Sequence, residues 1–290
     1  MVERAARFLL LASAILLVAG CFDEGEKEDC VGLSCPAGLF WPDGGEVRIQ
    51  YIALPDGSDL RLFVSYFVKD QTPEFVEPPL LGQCFDELWY VPPDREYIDV
   101  GDDVKVKMGD DEVTLPRSTG DAAVDFLGRH HQVAYTAQSY EKTQDSFFDA
   151  EHSATTQKDM GFNQLLHGLY QTPKVEVVSP TGVGNRPIQA NEDLVVEWNE
   201  LNPADPDITT GGVIIFWKKG GPGVANSETI ACVGPNTGRF VVPKETIDKL
   251  PDIGIMQVGT ASNQAKLTED GRRIDLWGST CVAFPFAKVY

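Results

Sequence analysis

The sequence predicts a mainly β chain that folds as two β-sandwich domains. Three observations carry that expectation. Apolar and polar residues alternate with period two in one segment after another. Turn residues separate those segments at intervals of about ten to twelve residues, the spacing of a sandwich or barrel. Helical spacing of apolar residues is nearly absent.

Taken in order, Val47, Ile49 and Tyr51 alternate with Arg48 and Gln50, and Pro55-Asp56-Gly57-Ser58 supplies a turn. Leu60, Leu62, Val64, Tyr66 and Val68 form the return strand of that hairpin. A strand near Leu88-Trp89-Tyr90-Val91 follows a proline-rich connection, and Val104, Val106 and Met108 make another. Gly109-Asp110-Asp111 turns that strand into Val113–Leu115, and Val133, Tyr135 and Ala137 continue the pattern. Phe162, Leu165, Leu166 and Leu169 are spaced as one face of a short helical turn. The second domain begins after Gln171-Thr172-Pro173. Its expected strands centre on Val175–Val178, Leu194–Trp198, Val213–Trp217, Ile230–Val233, Phe240–Val242, Ile253–Val258 and Ile274–Phe286, with a short helix after Pro243. The domain boundaries read from these features are 46–172 and 173–290.

The formal charge of the whole chain is −20. Such a surface repels phosphate backbones, so nucleic acid is not an expected partner. No nucleophile elbow, dinucleotide loop or HExxH spacing occurs, and the expected catalytic, cofactor and metal inventories are all empty. Two constellations stand against that. His130, His131, His152 and His167 fall in one region with Asp125, Asp149 and Glu151, which suggests a metal-dependent envelope hydrolase as the alternative function. Adjacent residues on a strand point to opposite faces, so His130 and His131 share a ligand only if the backbone turns there. The acidic groups Asn202, Asp205 and Asp207, then Asp99, Asp102 and Asp103, then Asp110, Asp111 and Glu112 offer oxygen ligands of the type calcium takes, without the spacing of an EF-hand.

The N-terminus has a different character. Arg4 and Arg7 precede a dozen almost wholly apolar residues, Phe8–Ala19, too short for a spanning helix and the length of a signal-peptide core. Val18-Ala19-Gly20-Cys21 closes that run and resembles the lipobox of bacterial lipoproteins. The resemblance implies cleavage before Cys21, a diacylglycerol on its thiol and acylation of the new amino group. Several acyl chains, each buried methylene contributing ~0.8 kcal/mol, hold the protein durably at a membrane. Residues 1–20 are then a signal peptide and 21–45 an acidic tether. Phe22 stands where enterobacterial lipoproteins retained in the inner membrane carry aspartate, so outer-membrane sorting is expected. The order of signal, tether and two β-domains resembles envelope lipoproteins of Gram-negative bacteria. That resemblance supplies no activity; the lipobox, the strand-rich halves and the absent catalytic motifs lead to the expectation of a non-enzymatic binding or structural role, with envelope proteins or polysaccharide as partners.

From Lys174 to Tyr290 the chain also resembles fibronectin type III and related immunoglobulin-like modules. Trp198 ends the second strand where that family often buries a tryptophan, and the Leu250-Pro251 corner precedes a strand like the family's sixth. In an oxidising compartment the cysteines are expected to pair. With Cys21 lipidated, five remain: Cys30, Cys35, Cys84, Cys232 and Cys281. Cys232 and Cys281 are alone in the C-terminal half and both lie on expected strands, which makes them the first expected pair. Cys84 then joins Cys30 or Cys35 unless those two close on each other. The competing arrangement, Cys84 with Cys232 or Cys281, staples the two domains.

Overall fold

The computed structural model describes residues 44–69, 82–86, 96–125, 128, 130–158, 165–181, 185–199, 203–205, 208, 210–267 and 273–290. The expected signal peptide and nearly all of the tether, with Cys21, Cys30 and Cys35, lie outside the described residues, as does the expected strand at Leu88–Val91.

The chain is mainly β. In the first half run β1 (Gly44–Ala53), β2 (Asp59–Lys69), β3 (Gln83–Asp86), β4 (Glu96–Tyr97), β5 (Asp103–Met108), β6 (Asp111–Thr119), β7 (Val133–Ser139), β8 (Ala150–Thr156) and β9 (Leu165–Gln171). In the second run β10 (Val177–Ser179), β11 (Arg186–Gln189), β12 (Leu194–Trp198), β13 (Thr210–Lys219), β14 (Glu228–Pro235), β15 (Arg239–Val242), α1 (Lys244–Asp248), β16 (Ile253–Leu267) and β17 (Arg273–Val289).

The second half is a two-layer sandwich. One layer is β10-β12-β15, and the other contains β14-β13-β16-β17, with β11 parallel to β17 on its far side. Seven antiparallel strands in two layers with this connectivity are an immunoglobulin-like arrangement. The inner faces meet in a core of Trp198, Ile214, Phe216, Met256, Val258 and Phe286, among others. Trp198 is buried, and its indole N–H donates to Asn236 Oδ1 at 2.9 Å.

The first half has no such independence. Its strands follow the order β17-β1-β2-β7-β6-β5-β8-β9, so β17 of the second half is its first strand. β1 pairs with β17 in parallel, from Gly44 opposite Arg273 to Ala53 opposite Val282. β9 then returns against β16 and β17 and closes the layer through side chains. Ser262 Oγ donates to the Tyr170 carbonyl at 2.6 Å, Thr280 Oγ1 donates to the Thr172 carbonyl at 2.7 Å, and Gln171 Nε2 donates to the Ser279 carbonyl at 2.6 Å. Gly278 permits that approach, because a Cβ there would lie 1.8 Å from the Tyr170 oxygen. Side chains from all eight strands fill the interior, among them Val47, Phe63, Tyr135, Val106, Leu166 and Leu276. The 17-residue strand β17 is therefore common to both cores, with Ile274 and Leu276 in the first and Phe284 and Phe286 in the second.

The expected Cys232–Cys281 pair does not form. Cys232 is bonded to Cys84, its cross-strand partner where β3 pairs with β14, and Cys281 is a free buried thiol. Two reasons exclude the expected pair. β13 and β16 intervene between β14 and β17, which sets the two cysteines about 14 Å apart at the usual strand spacing. The register also runs from Cys232 through Ile214 and Val258 to Val282, so Cys281 faces the opposite side of the sheet. The arrangement that staples the halves is the one present.

Leu165, Leu166 and Leu169 are not helical either. They lie on β9, where Gly168, at φ +99°, is the extra residue of a bulge opposite His152 and Ser153. The bulge lets Leu166 and Leu169, three residues apart, both face the core. A helical spacing thus arises within a strand.

A cleft between the two halves

The eight residues that join β13 to β14, Gly220–Ser227, fold away from their own sandwich and onto the first half. Asn226 donates its backbone N–H to the Gly128 carbonyl at 3.0 Å. Gly128 has φ +83°, and a Cβ there would lie 2.2 Å from the Val224 oxygen, so only glycine accepts the loop this closely. Beside that contact is a cleft of about 310 Å³. Its floor is Leu62 and Val64 on β2 with their cross-strand partners Gln138 and Thr136 on β7. Asp121 and Val124 form one wall, Gly223 and Ala225 the other.

Two of the floor side chains are hydrogen-bonded. Gln138 donates its amide N–H to the Tyr140 hydroxyl, and a Cβ on Gly223 would lie 4.0 Å from Gln138 Oε1 and 3.7 Å from Leu62 Cδ2. The amide oxygen is thereby turned toward the loop wall. Thr136 Oγ1 shares a 3.1 Å hydrogen bond with Ser118 Oγ. Tyr140 and Val224 stand exposed nearby, at 61% and 50% of their free areas. Asp125 also lines it, and among the described residues no lysine, arginine or histidine does.

His130, His131, His152 and His167 are not brought together. His131 is sealed inside, with Nε2 3.2 Å from Asp125 Oδ2, Nδ1 3.3 Å from the Tyr97 hydroxyl, and its ring stacked on Tyr66 at 4.3 Å. His130, next to it, is exposed, as strand-like alternation requires. His152 is buried in the first core, where its Nε2–H donates to the Phe147 carbonyl at 3.2 Å. Burial pushes its pKa down from 6.5 to about 4, so the ring is neutral at pH 7. His167 is exposed on β9, 3.7 Å from Glu151.

The acidic groups serve turns and ion pairs. Asp99 accepts the Gly101 N–H at 2.9 Å and pairs with Lys158 at 2.7 Å, contacts that hold its carboxyl below the usual range. Glu112 pairs with Lys105 across the β5–β6 hairpin at 3.4 Å. Asp149, at φ +54°, accepts the Ala204 N–H and so links the halves. Asn202 and Asp207 lie outside the described residues. Among the described residues no three histidine, cysteine or carboxylate side chains converge as metal ligands.

Gly220-Gly221-Pro222-Gly223 has neither the lysine nor the following helix of a phosphate loop, and nothing in the sequence marks Thr136 or Gln138. One signal was available. Eight residues is long for a connection between two strands this apolar, and surplus length in a hairpin loop often carries function.

No family model and no curated protein matches this chain. Solved structures similar to it include DIP-gamma IG1+IG2, at 9% identity and TM-score 0.19, over 85% of this chain and 98% of that one. The chicken CNTN1 FN1-FN3 domains match at 12% identity and TM-score 0.19, over 85% of this chain and 67% of that one. TM-scores this low carry no argument, and the immunoglobulin-like assignment of the second half rests on its strand order.

Proposed function

We propose that this protein is a lipid-anchored component of a bacterial cell envelope, sorted to the outer membrane, with a non-enzymatic binding role. The observation that carries the reading is Val18-Ala19-Gly20-Cys21 at the end of a short apolar run. Acyl chains on Cys21 hold the protein at the membrane, and the acidic segment that follows spaces the folded part from it. The cleft between the halves is the binding face, since concave sites with a few convergent polar groups form preferentially where domains meet. The histidine-based hydrolase has less support. The best-organised pair, His131 and Asp125, has no exposed side-chain area, and the His131 ring is stacked on Tyr66, which leaves it without the open access a hydrolytic base needs.

The anchor is tested by phase partitioning. The native chain should enter the detergent phase of cells, and Cys21→Ala or inhibition of the lipoprotein signal peptidase should prevent it. Detergent-phase recovery of Cys21→Ala equal to that of the native chain would refute the proposal.

A further inference from the structure

We infer that the cleft between the β13–β14 loop and the β2–β7 floor binds a primary ammonium group carried on a short aliphatic stem. The inference rests on reading this cleft as the binding face and adds the chemistry of what it takes.

Three properties of the cleft select that group. The first is its polarity. The polar groups that line it are chiefly acceptors: the Asp121 and Asp125 carboxylates, Gln138 Oε1 and the Thr136 hydroxyl, with no cationic side chain among the described lining residues. Gln138 is oriented for this because its donor end is engaged by Tyr140. An acceptor-rich site leaves an anion or a pure acceptor unpaired and receives a donor-rich cation well. An ammonium brings three N–H donors and no acceptor.

The second property is apolar breadth. Leu62, Val64, Val124 and Ala225 supply aliphatic wall between the polar groups, which suits methylenes rather than a hydroxyl-covered ring. The third is size. About 310 Å³ sits at the lower end of small-molecule sites, roughly 300 Å³ and upward, so the cleft holds one side chain or one small amine. The chain's net charge of −20 draws such a cation in from solution. A free alkylamine and a lysine side chain of a partner protein share this chemistry.

The test uses the full chain in detergent micelles, with amide resonances of Gly223, Ala225 and the Gln138 side chain as reporters. Three probes are titrated: 1,5-diaminopentane, Nα-acetyl-lysine amide, and 1,5-pentanediol as the uncharged isostere. The diamine should shift the reporters at a concentration at least about tenfold below the diol. Asp121→Asn should weaken the diamine about fivefold, the upper end for one exposed charge contact. Gln138→Leu should weaken it further, and both positions are exposed enough to vary without unfolding. A response to the lysine amide as well assigns the site to a protein side chain, and a response to the diamine alone assigns it to a free amine. Equal responses to diamine and diol, no response at all, or no effect of Asp121→Asn overturns the inference. Phase partitioning of the same protein reports separately on Cys21, so the titration and the anchor fail independently.

Discussion

Replacing Cys84 with alanine should destabilise the whole molecule rather than its edge strand alone. The bond to Cys232 spans 148 positions of chain. In the chain-entropy model a loop of that length raises the free energy of the unfolded state by about 5 kcal/mol. Net stabilities of domains are about 5–15 kcal/mol, so this one bond is a large share. Native strain and residual unfolded structure commonly reduce the measured effect, and a loss of about 2–5 kcal/mol is expected. Cys84 is the better position to vary because it is half-buried, whereas Cys232 is fully buried in the second core and its removal adds a cavity. Substitution is also cleaner than reduction, which would act on every disulfide in the chain. The assay is urea unfolding followed by fluorescence, with Cys281→Ala as control. That control should keep the Cys84–Cys232 peptide in a non-reducing digest. An unchanged midpoint for Cys84→Ala, or a digest that links Cys232 to Cys281, would refute the reasoning.

Two further outcomes follow from the packing. Gly278→Ala should cost about 3 kcal/mol, because the new methyl meets the Tyr170 carbonyl, a backbone atom that moves only if β9 lifts from β17. Hydrogen exchange should locate the damage at β9, and full protection there would contradict the closure described. Stability should also fall between about pH 6.5 and pH 4 through His152, whose folded-state pKa is pushed down to about 4. The unfolded chain binds a proton in that window and the folded chain does not, so the loss builds as pH falls and reaches about 3 kcal/mol. His152→Gln keeps a donor for the Phe147 carbonyl and should flatten that segment of the stability profile; an unaltered profile would assign the acid sensitivity elsewhere.

Most strands were legible because their alternation is strong. β1, β2, β5 and β7 fall where the period-two pattern puts them, and β12 and β13 where apolar runs do. What alternation could not show is what covers the second face. Arg48 and Gln50 alternate with Val47, Ile49 and Tyr51 as solvent-facing residues should, yet both are buried in the structure. Arg48 pairs with Glu46 at 2.9 Å and stacks on Trp277 at 4.4 Å, a residue more than two hundred positions away. Polar residues on a strand report only that a face lacks an apolar partner nearby in sequence. The same limit misplaced the disulfide. Neighbours such as Ile230 and Val282 correctly mark Cys232 and Cys281 as buried, but burial does not say on which side of a sheet. The parallel pairing of β1 with β17 joins the first and last strands among the described residues, and no local pattern encodes a contact of that length.

That pairing bears on the cleft as well. A loop wall is useful for recognition only if it stays in place. Gly220–Ser227 is braced within itself by Ser227 Oγ, which accepts the Gly221 N–H at 3.1 Å and lies 2.7 Å from the Val224 carbonyl. It is also held at two ends. At its base, β14 is cross-linked to β3 through Cys232 and Cys84, and Asp86 on β3 receives Lys218 at 3.2 Å and Lys249 at 2.7 Å. Burial opposes the Asp86 charge, but these two lysines outweigh it and hold its carboxyl below the usual range, so the brace persists to mildly acid pH. At its tip, the Asn226 N–H meets the Gly128 carbonyl of the first half. The floor, in turn, is carried by β2 and β7, whose position relative to the loop is set by β1 on β17. Floor and wall therefore belong to different halves of the sequence but to one interlocked sheet. Loosening the Cys84 brace should widen the cleft and weaken amine binding before it unfolds the protein.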